Sequence, residues 1–390
     1  MTMKRFIACL LLLCLIALPA LAESGITMNF AKYAMPKEVP DHEALRFTHD
    51  MGVGFNLGNT FDTNDTPWIK NDLDIETGWG NPKTTKEMIV TLKEAGFSTL
   101  RLPVSWHDHV NDDFIINTPW LDRVQEVVDY AYDEGMYVIL NTHHDVSKKF
   151  YYPSSEHMET SSRYIQTIWS QLAERFKDYD HHLIFESMNE PRLKDTDHEW
   201  AFHTNCKPCQ DSADCINQLN QLFVDTVRAS GGNNADRYLM VPTYAAATGN
   251  SNLDALQLPK DAAENRIIVS VHAYTPYDFA LNPDGGDKFP ITQTAEIVTF
   301  MNRLYNRYIV NGIPVVIGEF GALNKKDNLQ ARVDFTSFYV ACAAGRGIPC
   351  CWWDNGNFTG NGEKFGLLNR RNCTFAYPEI KDAIVLNGMK

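Results

Sequence analysis

Two glutamates stand where apolar stretches end. In "LIFESMNEP" (Leu183 to Pro191) a buried-looking run stops at Asn189, Glu190 and Pro191. In "IPVVIGEFGA" (Ile313 to Ala322) a second apolar run carries Glu319 at its far end. Two carboxyl groups facing each other across a cleft can cleave a glycosidic bond. At about 5–5.5 Å one attacks the sugar and configuration is retained; at about 6.5–9.5 Å a water fits between them and configuration inverts. The spacing in sequence leaves that choice open. An attacking carboxylate must stay ionised, which favours cationic or hydrogen-bonding neighbours, and Arg101 and Tyr274 are candidates to serve Glu319. A proton donor needs a less polar setting or a negative neighbour. Glu190, beside the uncharged Asn189, suits that role, and the Asn189 amide can bind a sugar 2-hydroxyl.

Other polar residues end apolar runs in the same way. Asn56 and Asn59 close "GVGFNLGNT", Arg101 lies in "TLRLPVSW", and His143 and His144 close "YVILNTHHD". His272 and Tyr274 lie in "RIIVSVHAYTP", and Trp352 and Trp353 in "IPCCWWDNG". Adjacent histidines on a strand point to opposite faces, so His143 and His144 read as hydroxyl-binding groups rather than as a metal pair. No metal or other cofactor is expected.

These rim residues require elements that carry them to one place. Eight apolar runs read as strands buried on both faces: 52–60, 99–106, 137–145, 182–191, 237–245, 266–276, 313–322 and 348–356. Helical patterns alternate with them, and "TTKEMIVTLKEAG", "WLDRVQEVVDYAYDEG" and "LNQLFVDTVRASG" each stop at glycine. Eight alternations predict a single α/β domain, a (β/α)8 TIM barrel, over 47–390. A doubly wound sheet is the alternative, but no glycine-rich phosphate loop follows the first strand. In a barrel the active site lies at the carboxyl ends of the strands, which is where these residues fall.

The chain has 390 residues and a formal charge of −14. Such acidity disfavours nucleic acid. Residues 1–22 have Lys4 and Arg5, an apolar run from Phe6 to Leu18, and Ala20-Leu21-Ala22. That is the layout of a secretory signal peptide, so the mature protein is expected outside the cytoplasm, without a membrane anchor. Residues 23–46 read as a polar N-terminal arm. Beyond Cys9 and Cys14, Cys206, Cys209 and Cys215 cluster in "NCKPCQDSADC". Export permits a local disulfide there; free thiols, or a zinc site with His203 as fourth ligand, are the alternatives.

The motifs "GFNLGNTFD", "TLRLPVSW", "THHD", "MNEP", "VHAYTP", "IGEFG" and "WWDNG", in this order, resemble glycoside hydrolase family 5, in particular its endo-β-1,4-glucanases. The resemblance runs from about Phe47 to Ile384. It implies a retaining hydrolase with Glu190 as acid/base and Glu319 as nucleophile. It implies supporting roles for Arg101, Asn189, His143, His272 and Tyr274, with Trp353 stacking under the sugar. It also implies substrate contacts at Asn56, His144 and the cleft aromatic Trp79. The expected partner is a β-glucan polysaccharide, and the expected state a monomer. Xyloglucan, mixed-linkage glucan, xylan or mannan would suit the same carboxylates, and a non-catalytic carbohydrate-binding barrel is the remote alternative. Two features depart from the family pattern: the cysteine cluster after the fourth strand, and Cys351, where a larger apolar residue is expected.

Overall fold

The computed structural model describes residues 29–389. The expected signal peptide lies outside them. Eight parallel strands close a barrel in chain order. They are β1 (Val53–Leu57), β2 (Thr99–Leu102), β3 (Tyr137–Asn141), β4 (Leu183–Glu186), β5 (Leu239–Pro242), β6 (Ile267–His272), β7 (Val315–Phe320) and β8 (Cys350–Asp354). Closure is between β1 and β8, with Phe55 opposite Trp352 and Asn56 opposite Trp353. The strands are shorter than the apolar runs suggest, because the polar ends leave the ladder and bond to side chains and loops.

Helices surround the sheet. Among them are α1 (Glu43–Asp50), α2 (Lys86–Glu94), α3 (Thr118–Asp133), α4 (Met158–Arg175) and α5 (Lys207–Ala229). Helix α2 begins where Thr85 accepts a hydrogen bond from the Met88 amide, as an N-cap should. Past its end Gly96 takes φ +103°, a conformation that favours glycine. Helix α5 starts earlier than the periodicity of "LNQLFVDTVRASG" indicates. Pro208 sits in its first turn, a position that proline tolerates, and the helix absorbs Lys207 to Cys215. The cysteine cluster is therefore the N-terminal end of a 23-residue helix rather than a loop.

Side chains alternate in and out of the barrel, as strand geometry requires. Ile139, Ile184, Met240, Ile268, Val316 and Cys351 fill the interior at the amino-terminal end of the strands. Ala44 and Phe47 of α1, with Met51 just after it, pack on this layer as a floor. The polar 23–46 segment is thus not a free arm over its described part. Phe30 is buried, Arg346 donates to the Ala34 carbonyl at 3.1 Å, and the Lys37 amide donates to the Gly345 carbonyl at 2.7 Å. Cys351 is small for a local reason. A Cβ at Gly54, on the neighbouring strand, would lie 2.2 Å from the Cys351 sulfur, so the two residues already fill the space.

Strand β8 sorts its two tryptophans as alternation predicts. Trp352 is fully buried among helix-facing residues, with its indole N–H on the Phe365 carbonyl at 3.0 Å. Trp353 turns to the mouth, packed on Leu323 and Phe365.

Candidate active site

Above the apolar floor the barrel interior becomes charged. Arg101, on β2, is fully buried and uses its whole guanidinium. It donates to Glu186 at 2.8 Å, Asn56 Oδ1 at 2.9 Å, Glu319 Oε1 at 2.8 Å and Asn189 Oδ1 at 2.7 Å. Burial alone would weaken its charge, but the Glu186 and Glu319 carboxylates outweigh that and hold it more firmly cationic. One fork thus sets four side chains, from β1, β4, the turn that follows β4, and β7.

Glu186 was not among the residues singled out from the sequence. It is fully buried on β4, accepting from Arg101, from Asn141 at 3.1 Å and from Ser270. The available signal was a lone carboxylate inside the apolar run "LIFE", which needs a buried cation. Removing one partner of such a buried pair costs about 3–5 kcal/mol, so Glu186 positions Arg101 and, through it, Glu319. Asn56, expected to touch substrate, is instead fully buried. Its amide donates to the Gly318 carbonyl at 2.8 Å and its oxygen accepts from Arg101. It orients the guanidinium.

Glu319 reaches the mouth through an irregularity. The β6–β7 register shifts between Val271 and His272, and the β7–β8 register shifts between Ile317 and Phe320. Strict alternation would send Glu319 outward, since Val316 points inward. A bulge re-aims a side chain in this way. It also needs Gly318, because a Cβ there would press on His272 at 3.1 Å and Arg101 at 3.4 Å. Glu319 is 5% exposed, and its second oxygen accepts from Tyr274 at 2.9 Å. Burial, with the Glu319 charge, raises the Tyr274 phenol well above its ordinary range, so it stays a donor.

Glu190 faces it. An oxygen of Glu190, a nitrogen of His272 and an oxygen of Glu319 all lie within 4.8 Å of one another. His272 Nδ1 is 2.8 Å from Glu190 and 3.7 Å from Glu319. Arg192 stands 3.8 Å from Glu190. This neighbourhood differs from the one expected for a proton donor. Burial raises the Glu190 carboxyl, but the hydrogen bond and charge of His272, with Arg192 and Arg101, outweigh it and hold it low. Burial lowers His272, but Glu319 and Glu190 outweigh that and raise it above the ordinary 6.5. The resting proton of the His272–Glu190 pair therefore sits towards the imidazole.

A pH profile follows from this pair. The proton is present below the pair's pKa and lost as pH rises through it, so the alkaline limb of kcat/KM should lie above the ordinary imidazole value. In His272→Gln the proton can reside only on the carboxyl, and the limb should move to lower pH. An unmoved limb would remove His272 from the proton inventory.

Asn189 is nearly buried, with its oxygen on Arg101. Its NH2 group has no hydrogen-bond partner among the described residues and is free to donate to a ligand. His143 is also nearly buried. The Asn141 amide donates to its Nδ1 at 3.1 Å, and burial holds the ring neutral, which leaves the proton on Nε2, 3.9 Å from Glu319. Its ring lies parallel to Trp353, 5.7 Å between centroids. His143 and His144 do not diverge as adjacent strand residues would. Strand β3 ends at Asn141, and the two ring centroids are 4.4 Å apart on the rim. His144 sits 3.8 Å from buried Asp62 and 5.9 Å from Trp79, and burial pushes the Asp62 carboxyl up to about 6. Trp79 and His144 share a recess with Asn64, Val146, Arg192 and Lys194.

The family model described as cellulase (glycosyl hydrolase family 5) matches residues 58–359. The chain belongs to glycosyl hydrolase family 5. It is 46% identical over 335 residues to endoglucanase B of Ruminococcus albus, covering 85% of this chain and 78% of that one. Among solved structures it resembles a family 5 lichenase from Caldicellulosiruptor sp. F32, with 51% identity, a TM-score of 0.89, and coverage of 90% and 97%. It also resembles a broad-specificity endoglucanase from Ruminococcus champanellensis with bound cellotriose, with 43% identity, a TM-score of 0.84, and coverage of 90% and 100%. The (β/α)8 fold and the resemblance drawn from the seven motifs are thereby established.

Proposed function

We propose that the protein is an exported, monomeric, retaining endo-β-1,4-glucanase that cleaves internal bonds of cellulose-like β-glucans. The observation that carries this reading is the pair Glu190 and Glu319 within 4.8 Å at the carboxyl ends of β4 and β7. That gap matches the separation of about 5–5.5 Å used for direct attack rather than the roughly 6.5–9.5 Å of inverting pairs, so retention is favoured.

In the first step Glu319 attacks C1 of the sugar while the His272–Glu190 pair delivers a proton to the departing oxygen through Glu190. Arg101 and Tyr274 hold Glu319 aimed by hydrogen bonds to its two oxygens. The free Asn189 NH2 donates to the 2-hydroxyl, and His143 Nε2–H to a neighbouring hydroxyl. Trp353 offers an indole face to the C–H face of the sugar, with Trp79 and His144 contacting the chain further along the cleft. In the second step Glu190 takes a proton from water, which attacks C1 and frees Glu319. No step needs a cofactor.

Likeness to a lichenase and to a broad-specificity endoglucanase supports mixed-linkage β-glucan as an additional substrate. The test is the initial rate on carboxymethyl-cellulose, lichenan, xyloglucan, xylan and mannan, with the anomer of the first product read by NMR. The expected result is turnover of carboxymethyl-cellulose and lichenan with a β-anomer appearing first. Inversion, or hydrolysis of xylan or mannan alone, would overturn the reading.

A further inference from the structure

The segment between β4 and α5 holds a group of soft ligands that hydrolysis does not use. Ligand atoms of His198, Cys206 and Cys209 lie within 4.8 Å of one another. All three are recessed from solvent to different degrees: Cys209 is buried, Cys206 and His198 half-buried. Two of them, in "CKPC", flank the first turn of α5, where the Cys206 sulfur accepts from the Cys209 amide at 3.3 Å.

His198 decides between the chemistries available to such a pair. Its Nδ1 is shut off from solvent and has no hydrogen-bond partner. Buried polar atoms are rarely left so. The main chain at His198 is tied down, since Tyr244 donates to its carbonyl at 2.7 Å. A Cys206–Cys209 disulfide would leave the imidazole without a role, whereas a metal ion makes it a ligand.

We propose that His198, Cys206 and Cys209 bind one thiophilic divalent cation, zinc by its preference for nitrogen and sulfur, with solvent at the fourth position. Tetrahedral zinc, with bonds of about 2.0–2.3 Å, holds such ligand atoms roughly 3.5–3.8 Å apart, so the side chains need to close by about 1.3 Å at most. Binding displaces the two thiol protons. The set differs from the one that spacing suggested. Cys215 lies further along α5 and is not in the group, and the exposed His203 is not in it either.

The cation would tie the amino end of α5 to the segment that carries Arg192 and Trp200. Arg192 packs over the exposed Trp200 ring at 4.1 Å, pairs with Glu199 at 3.0 Å and donates to the Glu190 carbonyl at 2.9 Å. Metal at this position would steady one wall of the cleft without touching substrate.

The test uses the full mature chain, reduced and stripped with chelator, then titrated with cobalt(II) and back-titrated with zinc. The expected result is one cobalt per chain with thiolate charge-transfer and tetrahedral d–d absorption, displaced by zinc, and a melting temperature raised by zinc. Cys206→Ser, Cys209→Ser and His198→Ala should each weaken binding by about tenfold or more, while Cys215→Ser and His203→Ala should not. Hydrolysis of a soluble β-glucan by each variant shows that the barrel is folded. The proposal fails if cobalt binding is not stoichiometric, or if it survives His198→Ala but not His203→Ala. It also fails if protein purified without reductant carries a Cys206–Cys209 disulfide and takes up no zinc once reduced.

Discussion

Glu319→Gln should reduce turnover by about 10⁴-fold or more while the protein stays folded. The amide has the shape of the carboxylate but cannot attack C1, and loss of a nucleophile removes an interaction made only on the reaction path. A 10⁴-fold loss corresponds to about 5.5 kcal/mol of barrier. The fold should tolerate the change because Arg101 keeps Glu186 as its buried counter-ion, and Tyr274 can still donate to the amide oxygen. The checks are kcat on a soluble β-glucan and the melting temperature of the same preparation. A variant that keeps a tenth of the wild-type rate would refute the assignment of Glu319.

Glu190→Ala should divide substrates by leaving group. Hydrolysis of polysaccharide should fall by about 10²–10⁴-fold, the usual range for a lost acid/base. Aryl glycosides with an acidic phenol need little protonation, so the glycosyl–Glu319 ester should still form and accumulate. Added azide should then attack C1 of that ester, release the Glu319 carboxylate and give a β-glycosyl azide. Azide takes over because it needs no deprotonation, whereas water has lost its base. Rescue with retained configuration in Glu319→Ala instead of Glu190→Ala would mean that the roles are reversed. The substitution also removes the partner of His272, 2.8 Å away, so the imidazole pKa should fall, with the Glu319 charge left to oppose its burial. NMR titration of that ring provides a second reading of the same pair.

Much of this site was legible in the chain. A strand shows itself within a few residues, because alternation and apolar content are local properties. Eight such runs separated by helical patterns leave few architectures, and barrels place their chemistry at the strand ends. Arg101, Asn189, Glu190, His272, Tyr274 and Glu319 therefore converge where the sequence puts them. The helix stops at Gly96 and Gly135 were visible for the same local reason; both adopt positive φ.

What was not legible depends on partners far apart in the chain. Arg101 bonds to residues between 45 and 218 positions away, and only closure of the barrel brings them together. That closure turned Asn56 from a candidate substrate contact into a buried support, and it gave Glu186 a purpose that one carboxylate in an apolar run could not reveal. Alternation also failed at two places for physical reasons: β3 ends before His143 and His144, and β7 bulges at Gly318. The location of the resting proton depends on the summed charge of Glu319, Arg101 and Arg192 around the His272–Glu190 pair, which is a property of distance in space. The cysteine cluster is the last example. Spacing grouped Cys206, Cys209 and Cys215 with His203, but a helix turns about 100° per residue, so α5 carries Cys215 away. The fold of the preceding segment then brings His198 to the two remaining sulfurs. Local periodicity makes the barrel and the residues at its rim readable from the chain. Which of those residues face the mouth, which are spent holding others, and where the proton rests follow from distances that exist only once the barrel has closed.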